Sequence, residues 1–150
     1  MALRTTETRV AETIRRLETE ADIWIATASD DGAPHLIPLS LAWDGSNILV
    51  ATPTASPTTR NILATGRARA SLADTNDVVI VRAAAQAIPF AEVPTAIAES
   101  FVARVGWDPG NQAGGDWSLL TLTPEVVLAW RGEPELAGRI IMRHGVWLTD

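Results

Sequence analysis

A chain of 150 residues with 47% hydrophobic and 20% charged residues has the size and composition of one globular domain, able to bury roughly 70% of the surface its unfolded form exposes. Cysteine and tyrosine are absent and all 12 basic residues are arginine, which excludes disulfides, thiolate metal sites, a cysteine nucleophile, a Schiff-base lysine and a Walker-type phosphate lysine. The net charge of −6 is the wrong sign for a nucleic-acid binder, and His35 and His144 are too few for a three-histidine metal centre within one chain.

From Thr5 to about Ala21, Val10, Ile14 and Leu17 recur at helical spacing, with Thr5 or Thr6 placed to cap the start. The period then changes. Segments 22–29, 35–43 and 47–52 read as three strands joined by Asp-Gly turns, an antiparallel meander. The second strand is apolar on both faces, which favours a closed or two-layered sheet over an open one. Ser56-Pro57 is an N-cap followed by proline at the first helical position, predicting a short helix to about Thr65. Strands follow at 68–73 and 78–88, then a helix from about Pro94 to Val105 that presents Ile97, Phe101 and Val105 on one face. The glycine-containing segment 107–116 is expected to be a loop, either mobile or folded over something. Strands at 118–122, 126–130, 139–142 and 146–148 complete a mainly β fold of about six to eight strands with two or three helices. No stretch reaches the 18 or so apolar residues of a membrane span, and the charged start lacks a signal peptide's apolar core, so a soluble, cytoplasmic protein is expected.

Two groups of residues could carry chemistry. The helix start at Ser56, Thr58 and Arg60, preceded by Thr52, offers free amides, the positive end of a helix dipole and clustered hydroxyls, which together suit a phosphate; the plainer alternative is a simple cap. Trp130, followed by Arg131 and then Arg139, could wall a planar heteroaromatic ligand and stabilise an anion on it, or Trp130 could be core, as Trp24, Trp43, Trp117 and Trp147 are expected to be. The acidic pairs Asp30-Asp31 and Glu133 with Glu135 lie in turn-like sequence with no fixed facing geometry and receive no catalytic role.

The order of helix, strands, capped short helix, strands, helix and terminal strands resembles the FMN-binding split-barrel flavoproteins of the pyridoxamine 5′-phosphate oxidase-like superfamily. The likeness runs from about Ala21 to Trp147. It is carried by segment 26–39 (ATASDDGAPHLIPL), the Thr52 turn, segment 56–62 (SPTTRNI) leading to 66–72 (GRARASL), and by 129–131 (AWR) and 135–139 (ELAGR). The resemblance implies an antiparallel split barrel with flavin along Ile37, Pro38, Leu39 and Ser40, its phosphate near Thr52, Ser56 and Thr58, and Trp130 and Arg139 at the ring. It also implies a homodimer with the cofactor at its interface. Pro57 and Thr58 stand where many relatives have basic residues, and Glu135 and Ala137 replace the arginine and histidine that hold pyridoxal phosphate in the oxidase proper.

The expected function is therefore an FMN-binding oxidoreductase that passes a hydride to or from a small molecule, without pyridoxamine phosphate oxidation. A deazaflavin coenzyme is the close variant, which a lysine-free, arginine-only composition of the high-GC kind would suit. From a different class, a split-barrel ligand-binding protein with a degenerated flavin site is the alternative, and a purely structural dimer is a third.

Overall fold

Helix α1 (Thr6–Thr19) begins at Thr5, whose hydroxyl accepts a hydrogen bond from the Thr8 amide, in a computed structural model that describes residues 2–150. Its buried stripe is Arg9, Thr13 and Leu17, one position around from the stripe that apolar spacing predicts. Arg9 can be buried because its guanidinium donates to the carbonyls of Ala129 at 3.0 Å and Gly138 at 2.6 Å, so the charge is not left without acceptors.

The sheet contains β1 (Asp22–Ala28), β2 (Pro34–Ser40), β3 (Ala42–Trp43), β4 (Ile48–Pro53), β5 (Arg67–Ser71), β6 (Val78–Pro89), β7 (Trp117–Trp130), β8 (Ile140–Arg143) and β9 (Val146–Trp147), with α2 (Pro57–Thr65) and α3 (Thr95–Val105) between them. All pairings are antiparallel, in the order β2-β1-β5-β6-β7-β4-β3, with β8 added to β7 and β9 to β8. This is the mainly β, curled half-barrel architecture that the sequence leads one to expect.

Two expectations need correction. The first three strands do not form a meander: β1 and β2 make the predicted hairpin, but β2 and β3 lie on opposite edges of the sheet. Between them sits Leu41, fully buried, with its amide donating to the Ala21 carbonyl at 2.8 Å. The chain thus passes from one edge to the other in a single residue, and β2 touches β4 without pairing with it. Segments 118–122 and 126–130 are likewise not two strands but one, running through Pro124. Pro124 sits opposite Ala83, where the β6–β7 register shifts between Arg82 and Ala83, and an irregularity of this kind tolerates a residue with no amide hydrogen.

The core has two parts. Inside the barrel, Ile23, Ile25, Val50, Val81, Leu120 and Val127 pack with Leu17 of α1 and Ile62 of α2. Outside the β3–β4–β7 side, Phe101 of α3 packs with Phe90, Leu49 and Leu119. Trp107 meets Phe101 edge-on at 6.4 Å and Trp117 at 5.2 Å, so the 107–116 loop is anchored at its first residue. Trp24, expected in the core, is 40% exposed: it alternates with Ile23 and Ile25 and so faces outward.

Candidate functional site

The start of α2 is built from side chains that satisfy one another, with one exception. Ser56 has the extended backbone of an N-cap, and its Oγ accepts from the Thr59 amide at 3.2 Å, while Pro57 occupies the first helical position. Thr52, at the end of β4, donates to Ser56 Oγ at 3.3 Å, and the Thr59 hydroxyl donates to the Pro53 carbonyl at 3.0 Å. Thr54 and Ser118 share a hydrogen bond of 2.8 Å that fastens this turn to β7. Thr58 is fully buried, and its Oγ1 has no hydrogen-bond partner among the described residues. A buried hydroxyl left unpaired costs on the order of 1–3 kcal/mol, so this position retains an unused donor and acceptor. Pro57, by contrast, is exposed, as is Arg60 in the next turn, which makes no ion pair among the described residues.

α2 as a whole packs against β1, β2, β4 and β6, so β2 is one of its neighbours. Ile37, Pro38, Leu39 and Ser40 pair with Ile25, Trp24, Ile23 and Asp22 on one side and with no strand on the other. The outer edge of β2 therefore leaves main-chain groups available to a planar ligand. Ser40 has a partner that sequence reasoning did not supply: its hydroxyl accepts from the Trp107 indole at 3.2 Å.

Trp130 and Arg139 are not brought to this place within one chain. Thr52 pairs with Ser118 near one end of β7, and Trp130 lies opposite Val78 at the other end, roughly 40 Å of strand away at ~3.3 Å per residue. Arg139 is exposed, with its guanidinium donating to the Leu136 carbonyl at 2.6 Å. Glu135, four residues before it, is buried and fully engaged. Arg4 donates to its two oxygens at 3.0 and 2.7 Å, and the Arg131 amide donates to it at 2.6 Å. Hydrogen bonding from Arg4 holds the Glu135 carboxyl down at about 2, below its ordinary 4.5. Nothing in the sequence marks this pairing, because Arg4 and Glu135 are 131 residues apart and only the fold joins them. Among the described residues no group of three His, Cys, Asp or Glu side chains is placed to hold a metal ion.

Comparison with known proteins identifies the family and the fold. Residues 11–131 match the family model described as pyridoxamine 5′-phosphate oxidase. The chain belongs to the pyridoxamine 5′-phosphate oxidase family. Solved structures similar to this family member include an F420 reductase, at 22% identity over 75% of this chain and 93% of that one, with a TM-score of 0.62. A general stress protein 26-related protein of the pyridoxinephosphate oxidase family from Clostridium acetobutylicum aligns at 15% identity over 83% and 89%, with a TM-score of 0.64. The heme storage protein HutZ from Vibrio cholerae aligns at 15% identity over 81% and 94%, with a TM-score of 0.61. These three likenesses are statements about fold. No curated protein matches the chain.

Proposed function

We propose that this family member is an oxidoreductase that takes FMN or a deazaflavin coenzyme and works as a homodimer. The observation that carries the reading is the Thr58 hydroxyl, fully buried and unpartnered in the first turn of α2, beside a strand edge that pairs with nothing. A coenzyme phosphate at the helix start would accept from Thr58 and the first-turn amides, with Thr52 and Ser56 holding the turn in shape and the helix dipole favouring the negative charge. Main-chain groups of Ile37 to Ser40 would meet the polar edge of the ring. The bound coenzyme supplies the hydride chemistry. Arg139 would stabilise the negative charge that reduction places on the ring, and Trp130 would pack against it and keep water away.

Because Trp130 and Arg139 lie at the far end of β7, these two roles require a second copy. The outer face of β2 and β1 supports this: Leu36 is 61% exposed and Trp24 40%, with Pro38 exposed between them in register, an apolar strip next to the proposed ring site. Leu36→Asp is expected to convert a dimer into a monomer, measured by sedimentation velocity. A monomeric wild-type protein would remove the second copy from the site.

The F420 reductase among the similar folds, together with the absence of basic side chains at Pro57 and Thr58, favours the deazaflavin over FMN. Glu135, taken up by Arg4, and the apolar Ala137 offer a substrate phosphate no free cation, which argues against pyridoxamine phosphate as substrate. Titrating the coenzyme-free protein with FMN and with the deazaflavin, read by tryptophan fluorescence, tests the proposal. Micromolar binding of either, weakened by Thr58→Val, is expected. No binding at about 100 µM, an affinity weaker than about −5.5 kcal/mol, would replace it with a ligand-binding role, for which the HutZ-like fold gives the precedent of a heme storage protein.

A further inference from the structure

At the opposite end of α2 from the hydroxyl-lined turn, an open basin of about 860 Å3 lies between the outer face of β1, β5 and β6, the last turn of the helix and the β1–β2 turn. Three arginines line it. Arg69 pairs directly across the strands with Arg82, and Arg67 is two residues away on the same face of β5. Like charges directly opposite in a sheet destabilise it, so this pairing works against the fold unless something neutralises it.

The chain has carboxylates to spare, 18 acidic residues against 12 arginines, yet none is used here. The ion pairs among the described residues are made by Arg4, Arg16 and Arg131. Asp30 and Glu125 also line the basin, and neither approaches Arg67, Arg69 or Arg82 within 4.0 Å. Space is kept open on the β1 side by small residues: Ala26, which pairs with Arg69, and Ala28 stand where larger side chains would fill the basin.

We propose that this basin binds a small phosphorylated molecule, with its phosphate or diphosphate oxygens held by Arg67, Arg69 and Arg82. Planar guanidinium forks converging from two adjacent strands suit an oxyanion that carries more than one negative charge and can accept several paired hydrogen bonds. The volume admits an organic phosphate of nucleotide size. The site stands apart from the proposed coenzyme phosphate by the length of α2, roughly 13 Å at ~1.5 Å per residue. It does not depend on whether the other end of that helix takes a flavin.

The test is isothermal titration of coenzyme-free, full-length protein with sodium pyrophosphate and with inorganic phosphate at constant ionic strength. Saturable binding of one pyrophosphate per chain is expected. Arg69→Gln and Arg82→Gln should each weaken it at least about tenfold, the loss expected for a charge-assisted contact, while Arg15→Gln, on the exposed side of α1, leaves it unchanged. Without ligand, Arg82→Gln should melt no lower than wild type, which separates a lost ligand contact from a damaged fold. Weakening by Thr58→Val in place of the arginine variants would assign the anion to the helix start and overturn the proposal. So would identical isotherms in all variants, or no heat of binding at all.

Discussion

Two groups of arginines in this protein sit in opposite electrostatic settings. Near the start of the chain, Arg4 contacts Glu135 at 2.7 Å, Glu12 at 2.6 Å and Asp77 at 3.4 Å, and Arg131 contacts Asp77 at 3.0 Å. This cluster ties the N-terminal segment, α1, the β5–β6 turn and the turn after β7 into one block. Across the sheet, Arg67, Arg69 and Arg82 are grouped with no ion-pair partner among the described residues. The same residue type thus serves the fold where carboxylates converge on it, and is left available for a ligand where they do not.

Removing a partner from the first group should have the largest effect. Glu135→Ala leaves Arg4 as a nearly buried, incompletely paired cation and is expected to destabilise the protein by about 3 kcal/mol, read by urea denaturation. The same pair gives a pH signature. Because the folded-state value of Glu135 is lowered to about 2 from 4.5, its contribution is complete above about pH 4.5 and is lost as pH falls toward 2. In the Glu135→Gln variant that part of the acid slope should disappear, and an unchanged slope would show that the carboxylate is not held as described. Arg131→Gln should matter much less, at most about 1 kcal/mol, because its side chain is 42% exposed and its pairs are screened. Smallest of all, and of opposite sign, Arg82→Gln should raise ligand-free stability by a few tenths of a kcal/mol by relieving the facing charges. A clear loss of stability there would mean that the second group also serves the fold.

Sequence periodicity and turn chemistry located nearly every element, and the cap at Ser56-Pro57 was legible residue by residue because it is a local device. What escaped were consequences of long-range pairing. The apolar run of segment 35–43 looks the same whether or not the chain changes sheet edge at Leu41, so local signals point to a meander that the topology does not form. Pro124 looked like a strand break because its compensation, the register shift at Arg82 and Ala83, lies on another strand. At the site, Thr52, Ser56 and Thr58 were legible through the cap, whereas the remoteness of Trp130 follows only from the pairing of β7 with both β4 and β6. The arginine basin was invisible for the same reason: Arg69 and Arg82 become neighbours only through the β5–β6 register.

The hydrogen bond between Thr54 and Ser118 spans 64 residues of chain, and the β4–β7 ladder it flanks closes a comparably long loop. Loops of that length are entropically expensive to close, and topologies built on distant pairings fold slowly. The β1–β2 and β5–β6 hairpins can form early, but the turn that presents Thr58 hangs from β4 and gains its final shape only when β4 docks on β7. The phosphate contact proposed for that turn should therefore become possible only among the last events of folding. Appearance of the site would then serve as a clock for completion of the barrel.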